Sequence, residues 1–175
     1  MLYYTGLEDI IFSKHELLSE EPDELIIISG YLGPSPVDRL SELPNMKIIV
    51  IGGMYPAGVD TRLYNSLEKI KQNNPNLIIK YSSQEIHSKI YIWRSKGKTL
   101  TALIGSANFS SNGLRTDYRE SLADATRDTF NPLDIYYKFI VEHSSETPII
   151  NKKQTIIDFH KMAVVADAPK LNNVI

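Results

Sequence analysis

Residues 86–109 read IHSKIYIWRSKGKTLTALIGSANF. Two runs of strand character, 87–93 and 99–105, are separated by Ser95, Lys96, Gly97 and Lys98, an extended hairpin turn in sequence terms. Side chains two apart on a strand share a face, so the His87 imidazole and the Lys89 ammonium are expected to project together. They form a phosphate-gripping pair. The second strand runs out into a small polar run, Gly105, Ser106, Ala107 and Asn108.

Upstream, residues 24–29 (ELIIIS) and 46–51 (MKIIVI) are unbroken aliphatic runs of strand length, the pattern of strands covered on both faces. A third strand is expected at 77–81. Helices are expected at 9–18, at 35–43 with Pro36 in the first turn, and after an Asp60 or Thr61 cap with Leu63, Tyr64, Leu67 and Ile70 as the apolar stripe. A strand at 118–123 and a helix at 132–142 follow, the helix burying Leu133, Tyr136, Tyr137, Ile140 and Val141. This alternation predicts an α/β fold with a mixed, mainly parallel β-sheet flanked by helices on both faces. The loop after residue 29 lies at a strand's C-terminal end, where open α/β sheets bind ligands. Tyr31 there is by default a packed loop tyrosine, and a place at the rim of the site is the alternative.

The chain has 175 residues, 42% hydrophobic and 23% charged, which bounds it to one ordinary domain. It has no cysteine, which removes disulfides, thiolate catalysis and cysteine–zinc sites and suits a cytoplasmic protein. No apolar run nears the ~18 residues of a membrane span, and the start lacks a signal-peptide pattern. The net charge is −2, yet residues 80–119 hold seven cations (Lys80, Lys89, Arg94, Lys96, Lys98, Arg115, Arg119) against two anions, Glu85 and Asp117. A polyanion responds to local rather than total charge. Lys96 and Lys98 read equally as solvated hairpin-tip charges or as phosphate contacts.

The HxK pair followed by GSxN resembles the signature of the phospholipase D superfamily. With SGYLGPSP ahead of it, the pattern is similar to the catalytic domain of type II restriction endonucleases built on that fold, over roughly residues 25–125. Two departures stand out: Arg94 occupies the position five after Lys89 where the superfamily usually carries an acid, and four extra residues separate the two halves. The resemblance implies metal-independent hydrolysis of double-stranded DNA, with no cofactor. His87 is the implied nucleophile, giving a phosphohistidine, a second histidine is the acid, Lys89 and Asn108 hold the phosphoryl oxygens, and Ser106 either donates to the same oxygens or positions the imidazole. A nucleophilic imidazole needs an acceptor on its other nitrogen. Glu120, twelve residues after Asn108, stands where the superfamily carries an acidic partner. Asp117 is the spare and Glu85 a weaker one, and a lone glutamate is by default a surface charge. Tyr31, Arg94, Lys96, Lys98, Arg115 and Arg119 are the candidate substrate contacts.

Among His15, His87, His143 and His160, only His87 sits in an HxK context, and His160 directly precedes Lys161. A two-histidine mechanism then takes its second from another subunit, which predicts a homodimer with one composite site at its two-fold axis. The carboxylate–x–lysine motif of metal-dependent restriction nucleases is missing, zinc-spaced histidines are missing, and Gly97-Lys98-Thr99 is a fragment of a Walker loop without its other glycine. The catalytic domain is expected to span 1–145. Residues 146–175 then form a linker or extension toward a C-terminal DNA-recognition domain beyond Ile175. A phospholipase or phosphatidyl transferase of the same superfamily, which needs a membrane-facing segment, and an inactive dimerisation or nucleic-acid-binding module are the rival readings.

Overall fold

The computed structural model describes residues 1–151. In chain order the strands are β1 (Leu2–Tyr3), β2 (Glu24–Ser29), β3 (Lys47–Gly52), β4 (Val59–Asp60), β5 (Leu77–Ser82), β6 (Lys89–Ser95), β7 (Lys98–Gly105), β8 (Leu122–Asp124), β9 (Ser144–Ser145) and β10 (Ile150–Asn151). The helices are α1 (Leu7–Ser13), α2 (Pro34–Arg39), α3 (Thr61–Gln72), α4 (Ser111–Leu114) and α5 (Phe130–Glu142). The main sheet has the order β1-β8-β7-β6-β2-β3-β5-β9, and β4 and β10 form a separate parallel pair.

The aliphatic runs behave as their lack of alternation requires, because both faces of the sheet are covered. Leu25, Ile27, Ile48, Val50, Tyr91 and Trp93 pack with Leu7 and Ile11 of α1, Val37 of α2 and Leu67 of α3. Their neighbours in sequence, Ile26, Ile28, Ile49, Ile51, Ile90 and Ile92, face the other way and pack with Leu133 and Ile140 of α5. The helix–sheet–helix layering is the expected one. Within the main sheet, however, parallel pairing is confined to β2–β3 and β3–β5, while β6, β7, β8, β1 and β9 all join antiparallel. The sheet is therefore mixed without being mainly parallel: hairpin connections and short edge strands, unlike helical crossovers, add antiparallel strands.

Several local expectations are corrected. The first helix leaves α-geometry after Ser13 and continues as one 3₁₀ turn, Lys14–Leu17. The hairpin turn is two residues, Lys96 and Gly97, at φ 51° and 78°, and Ser95 pairs directly with Lys98. Two successive left-handed residues make the tight turn that matches strand twist, so the extra length extends the strands instead of the turn. Of the strand expected at 118–123 only Leu122–Asp124 forms, since Tyr118 sits at φ 66° and Glu120 precedes the ladder. Asp60 does cap α3, accepting from the Leu63 N–H at 3.1 Å. Pairing between β10 and β4 carries the packed chain to Asn151, six residues past the expected boundary at 145. The rest of the expected linker lies outside the described residues, as does His160.

Candidate active site

One end of the sheet assembles the site. Antiparallel pairing of Ile28 with Ile90 and of Lys89 with Gly105 sets the C-terminal end of β2, the start of β6 and the end of β7 side by side. The loop after β2 is tied to the segment after β7 by a Leu32–Phe109 bridge and by the Gly33 N–H on the Phe109 carbonyl at 2.9 Å. His87 lies two residues before β6, exposed, so it is not on the strand as expected. The pair still meets, because the buried Lys89 Nζ turns back to donate to the His87 carbonyl at 2.6 Å and contacts His87 Nδ1 at 2.9 Å. An ammonium only donates, so Nδ1 is the acceptor, and the neutral ring carries its proton on Nε2.

Burial pulls the Lys89 pKa below its ordinary value, and the Glu120 carboxylate opposes that shift. Glu120 is thus near enough for its charge to act on Lys89. Its position follows from Ser106, whose Oγ accepts from the Ser121 N–H at 3.0 Å and whose N–H donates to the Ser121 carbonyl at 2.9 Å. Asn108 is held by its amide oxygen, which accepts from the Gly30 and Tyr31 N–H groups at 3.0 and 3.2 Å and lies 3.2 Å from the Ser29 hydroxyl oxygen. Backbone N–H groups require an oxygen, so the amide orientation is fixed and its NH₂ is left as the donor. Ser29 and Gly30 are site residues that the sequence reading did not single out. The signal was there, a Ser-Gly pair closing a buried strand.

The other candidates scatter. Tyr31 is half-exposed at the site's rim, edge-on to Tyr55 with ring centroids 5.9 Å apart. Arg119 is exposed and 3.9 Å from Glu120. Arg115 is occupied by Glu8 at 2.6 Å and Ser35 at 2.8 Å, and Asp117 accepts from the Gly6 N–H at 2.9 Å. Arg94 is not brought to the site: it is 2% exposed, paired with Glu24 and Asp134 and bonded to Thr99 and the Gly97 carbonyl. It stands five residues along β6 from Lys89, roughly 17 Å at strand rise. Lys96 and Lys98 lie at that same far end, beside a recess shared with Glu20 and Arg127. The fold thus disperses the basic run of residues 80–119 instead of gathering it. Glu85 is exposed.

His15 sits on the 3₁₀ turn, and His143 stacks on Phe139 with its Nδ1 donating to the Phe139 carbonyl at 2.8 Å. Neither hydrogen-bonds to Lys89, Asn108 or Glu120. Among the described residues no group of three His, Asp or Glu side chains is placed to hold a metal, and no helix is long and apolar enough to cross a membrane.

Comparison with curated proteins finds no match. Among solved structures, NucT from Helicobacter pylori superposes with a TM-score of 0.56 at 17% identity, over 82% of this chain and 96% of that one. Polyphosphate kinase from Porphyromonas gingivalis matches with a TM-score of 0.46 at 15% identity, over 85% of this chain and 23% of that one. Yeast tyrosyl-DNA phosphodiesterase matches with 0.41 at 14%, over 73% and 30%. The likeness to NucT is one of fold. A mixed sheet between helix layers, with HxK and GSxN meeting at one end, defines a phospholipase D-like domain carrying one motif set. The chain belongs to the family described as the NgoFVII restriction endonuclease N-terminal PLD domain, whose model matches residues 5–158. That family is one of nucleases, which places the domain among phosphodiesterases.

Proposed function

We propose that this domain hydrolyses phosphodiesters of double-stranded DNA without a metal, through a phosphohistidine at His87, in a site composed of two subunits. The observation that carries the reading is the convergence of an exposed imidazole, a buried ammonium and an oriented carboxamide at one sheet end. The family description supports DNA as the substrate. It also supports assigning sequence recognition to a separate domain, since it names an N-terminal unit.

An arriving phosphate competes for Lys89. As the ammonium turns from Nδ1 to a phosphoryl oxygen, Nδ1 is released to carry the proton, with Glu120 as its acceptor, and Nε2 gains a free lone pair. Nε2 attacks phosphorus, the P–O bond to the leaving oxygen breaks, and His87 of the partner subunit, which enters the cycle doubly protonated, gives that oxygen its proton. The partner's His87, now neutral, takes a proton from water. The water oxygen attacks phosphorus, the P–N bond breaks, and both histidines return to their starting states. Lys89 and the Asn108 NH₂ meet the charge on the equatorial oxygens, and loss of one such donor typically costs about 10²–10³-fold in kcat.

Incubation of the chain with supercoiled plasmid in excess EDTA tests this. Cleavage by the wild type and none by His87→Ala is the expected result. Loss of wild-type cleavage on chelation refutes metal independence, and an active His87→Ala variant removes the nucleophile.

A further inference from the structure

Ser29 belongs to no part of the chemistry above, yet it is fully buried at the end of β2 with its hydroxyl in the middle of the site's wiring. Its Oγ donates to the Tyr31 carbonyl at 2.5 Å, contacts Asn108 Oδ1 at 3.2 Å and accepts from the Phe109 N–H at 2.9 Å. Those partners bracket Asn108 on both sides. Phe109 follows it in the chain, and Tyr31 is the residue whose own N–H grips the Asn108 oxygen. Gly30 permits the approach: a Cβ there would stand 3.2 Å from Asn108 Oδ1 and 3.7 Å from Lys89 Nζ, so the loop passes within reach of both phosphate-holding groups.

We propose that Ser29 is a positioning residue that acts through Asn108, locking the carboxamide so that its NH₂ faces the phosphoryl oxygens. This rests on the phosphodiesterase reading above. A carboxamide whose oxygen accepts from two backbone N–H groups and is backed by the Ser29 hydroxyl at 3.2 Å is held against turning over, and its amide hydrogens are aimed before substrate arrives. Such preorganised donors cost nothing to orient at the moment of reaction. The hydroxyl also fixes the spacing between the loop after β2 and the loop after β7, through the Tyr31 carbonyl and the Phe109 N–H.

The test is a double-mutant cycle in the full chain: wild type, Ser29→Ala, Asn108→Ala and the double variant. The readouts are kcat and KM on DNA and the inhibition constant of vanadate, a mimic of the five-coordinate phosphoryl group. Ser29→Ala is expected to lower kcat by about 10- to 100-fold and to weaken vanadate by a similar factor, with KM unchanged within about threefold. In the Asn108→Ala background the same change is expected to have no further effect on either, the signature of residues acting as one unit. An equal loss in both backgrounds, or no loss in the first, overturns the proposal, because a packing role is blind to Asn108. If Ser29→Ala does not fold, the near-isosteric Ser29→Cys, whose thiol is a weak donor, runs the same cycle with the same two outcomes. A wild type that cleaves no DNA, or an Asn108→Ala variant as active as wild type, overturns the phosphodiesterase reading itself.

Discussion

At the scale of single residues, Lys89 is the group whose environment most constrains the chemistry. In the proposed reaction it must be charged to hold phosphate, and burial pulls its pKa below 10.5 in the free domain. A lowered lysine loses its proton earlier as pH rises, so the alkaline limb of kcat/KM is expected below pH 10.5. A bound phosphate favours the cation and moves the limb of kcat to higher pH. Lys89→Arg, which stays charged, is expected to abolish the limb of kcat/KM in a pH–rate profile. Arg94 gives the opposite kind of prediction. Arg94→Met is expected to destabilise the fold by about 3–5 kcal/mol in urea titration, because it leaves Glu24 and Asp134 beside an uncompensated gap, with kcat per folded molecule unchanged. The sequence made Lys89 legible, because HxK spacing is local. It misplaced Arg94, whose partners lie 70 and 40 residues away and leave no trace in a local pattern. Asn108 was legible as a donor, but the Ser29 and Gly30 contacts that aim it were not, since they depend on a pairing of β2 with β6 that periodicity does not reveal.

At the scale of elements, the hairpin and the α1 attachment are the informative cases. The turn depends on Gly97 at φ 78°, with nothing within 4 Å of a Cβ there. Gly97→Ala is therefore a test of backbone strain alone, expected to cost about 1–2 kcal/mol. Because the turn lies at the far end of β6 from Lys89, kcat is expected to stay unchanged. Helix α1 is fastened by Glu8, which takes Arg115 at 2.6 and 3.1 Å and Arg39 at 3.0 Å. Burial pushes the Glu8 pKa up, but the hydrogen bonds and charges of Arg115 and Arg39 outweigh it, and the net pKa is lowered below 4.5. A lowered carboxyl contributes stability that is present above its unfolded value and lost as pH falls through its folded one. Glu8→Gln is thus expected to cost about 1–3 kcal/mol at neutral pH and to flatten the loss of stability below pH 4.5 in acid-unfolding curves. The strands of the central sheet were legible because uninterrupted aliphatic runs have few other uses. The direction of their pairing was not, because parallel and antiparallel partners look alike in a single strand. The first half of the strand expected at 118–123 failed for a similar reason: the left-handed Tyr118 is set by its N–H on the Tyr4 carbonyl, a contact 114 residues away.

At the scale of the whole molecule, one chain supplies one HxK histidine; His15 lies on the 3₁₀ turn and His143 is bonded to the Phe139 carbonyl. A composite site then requires a dimer in sedimentation. A heterodimer of wild type with His87→Ala is expected to be inactive, because its single shared site lacks one histidine; a heterodimer with half the wild-type activity would mean two independent sites. The covalent step lies at the centre of the account, and stereochemistry at phosphorus reports on it directly. A phosphorothioate diester of one configuration at the scissile position is cleaved in ¹⁸O-labelled water and the product's configuration is determined. Two successive in-line displacements, on His87 and then on the phosphohistidine, predict retention. Inversion would mean that water attacks the phosphodiester directly, and would contradict the account.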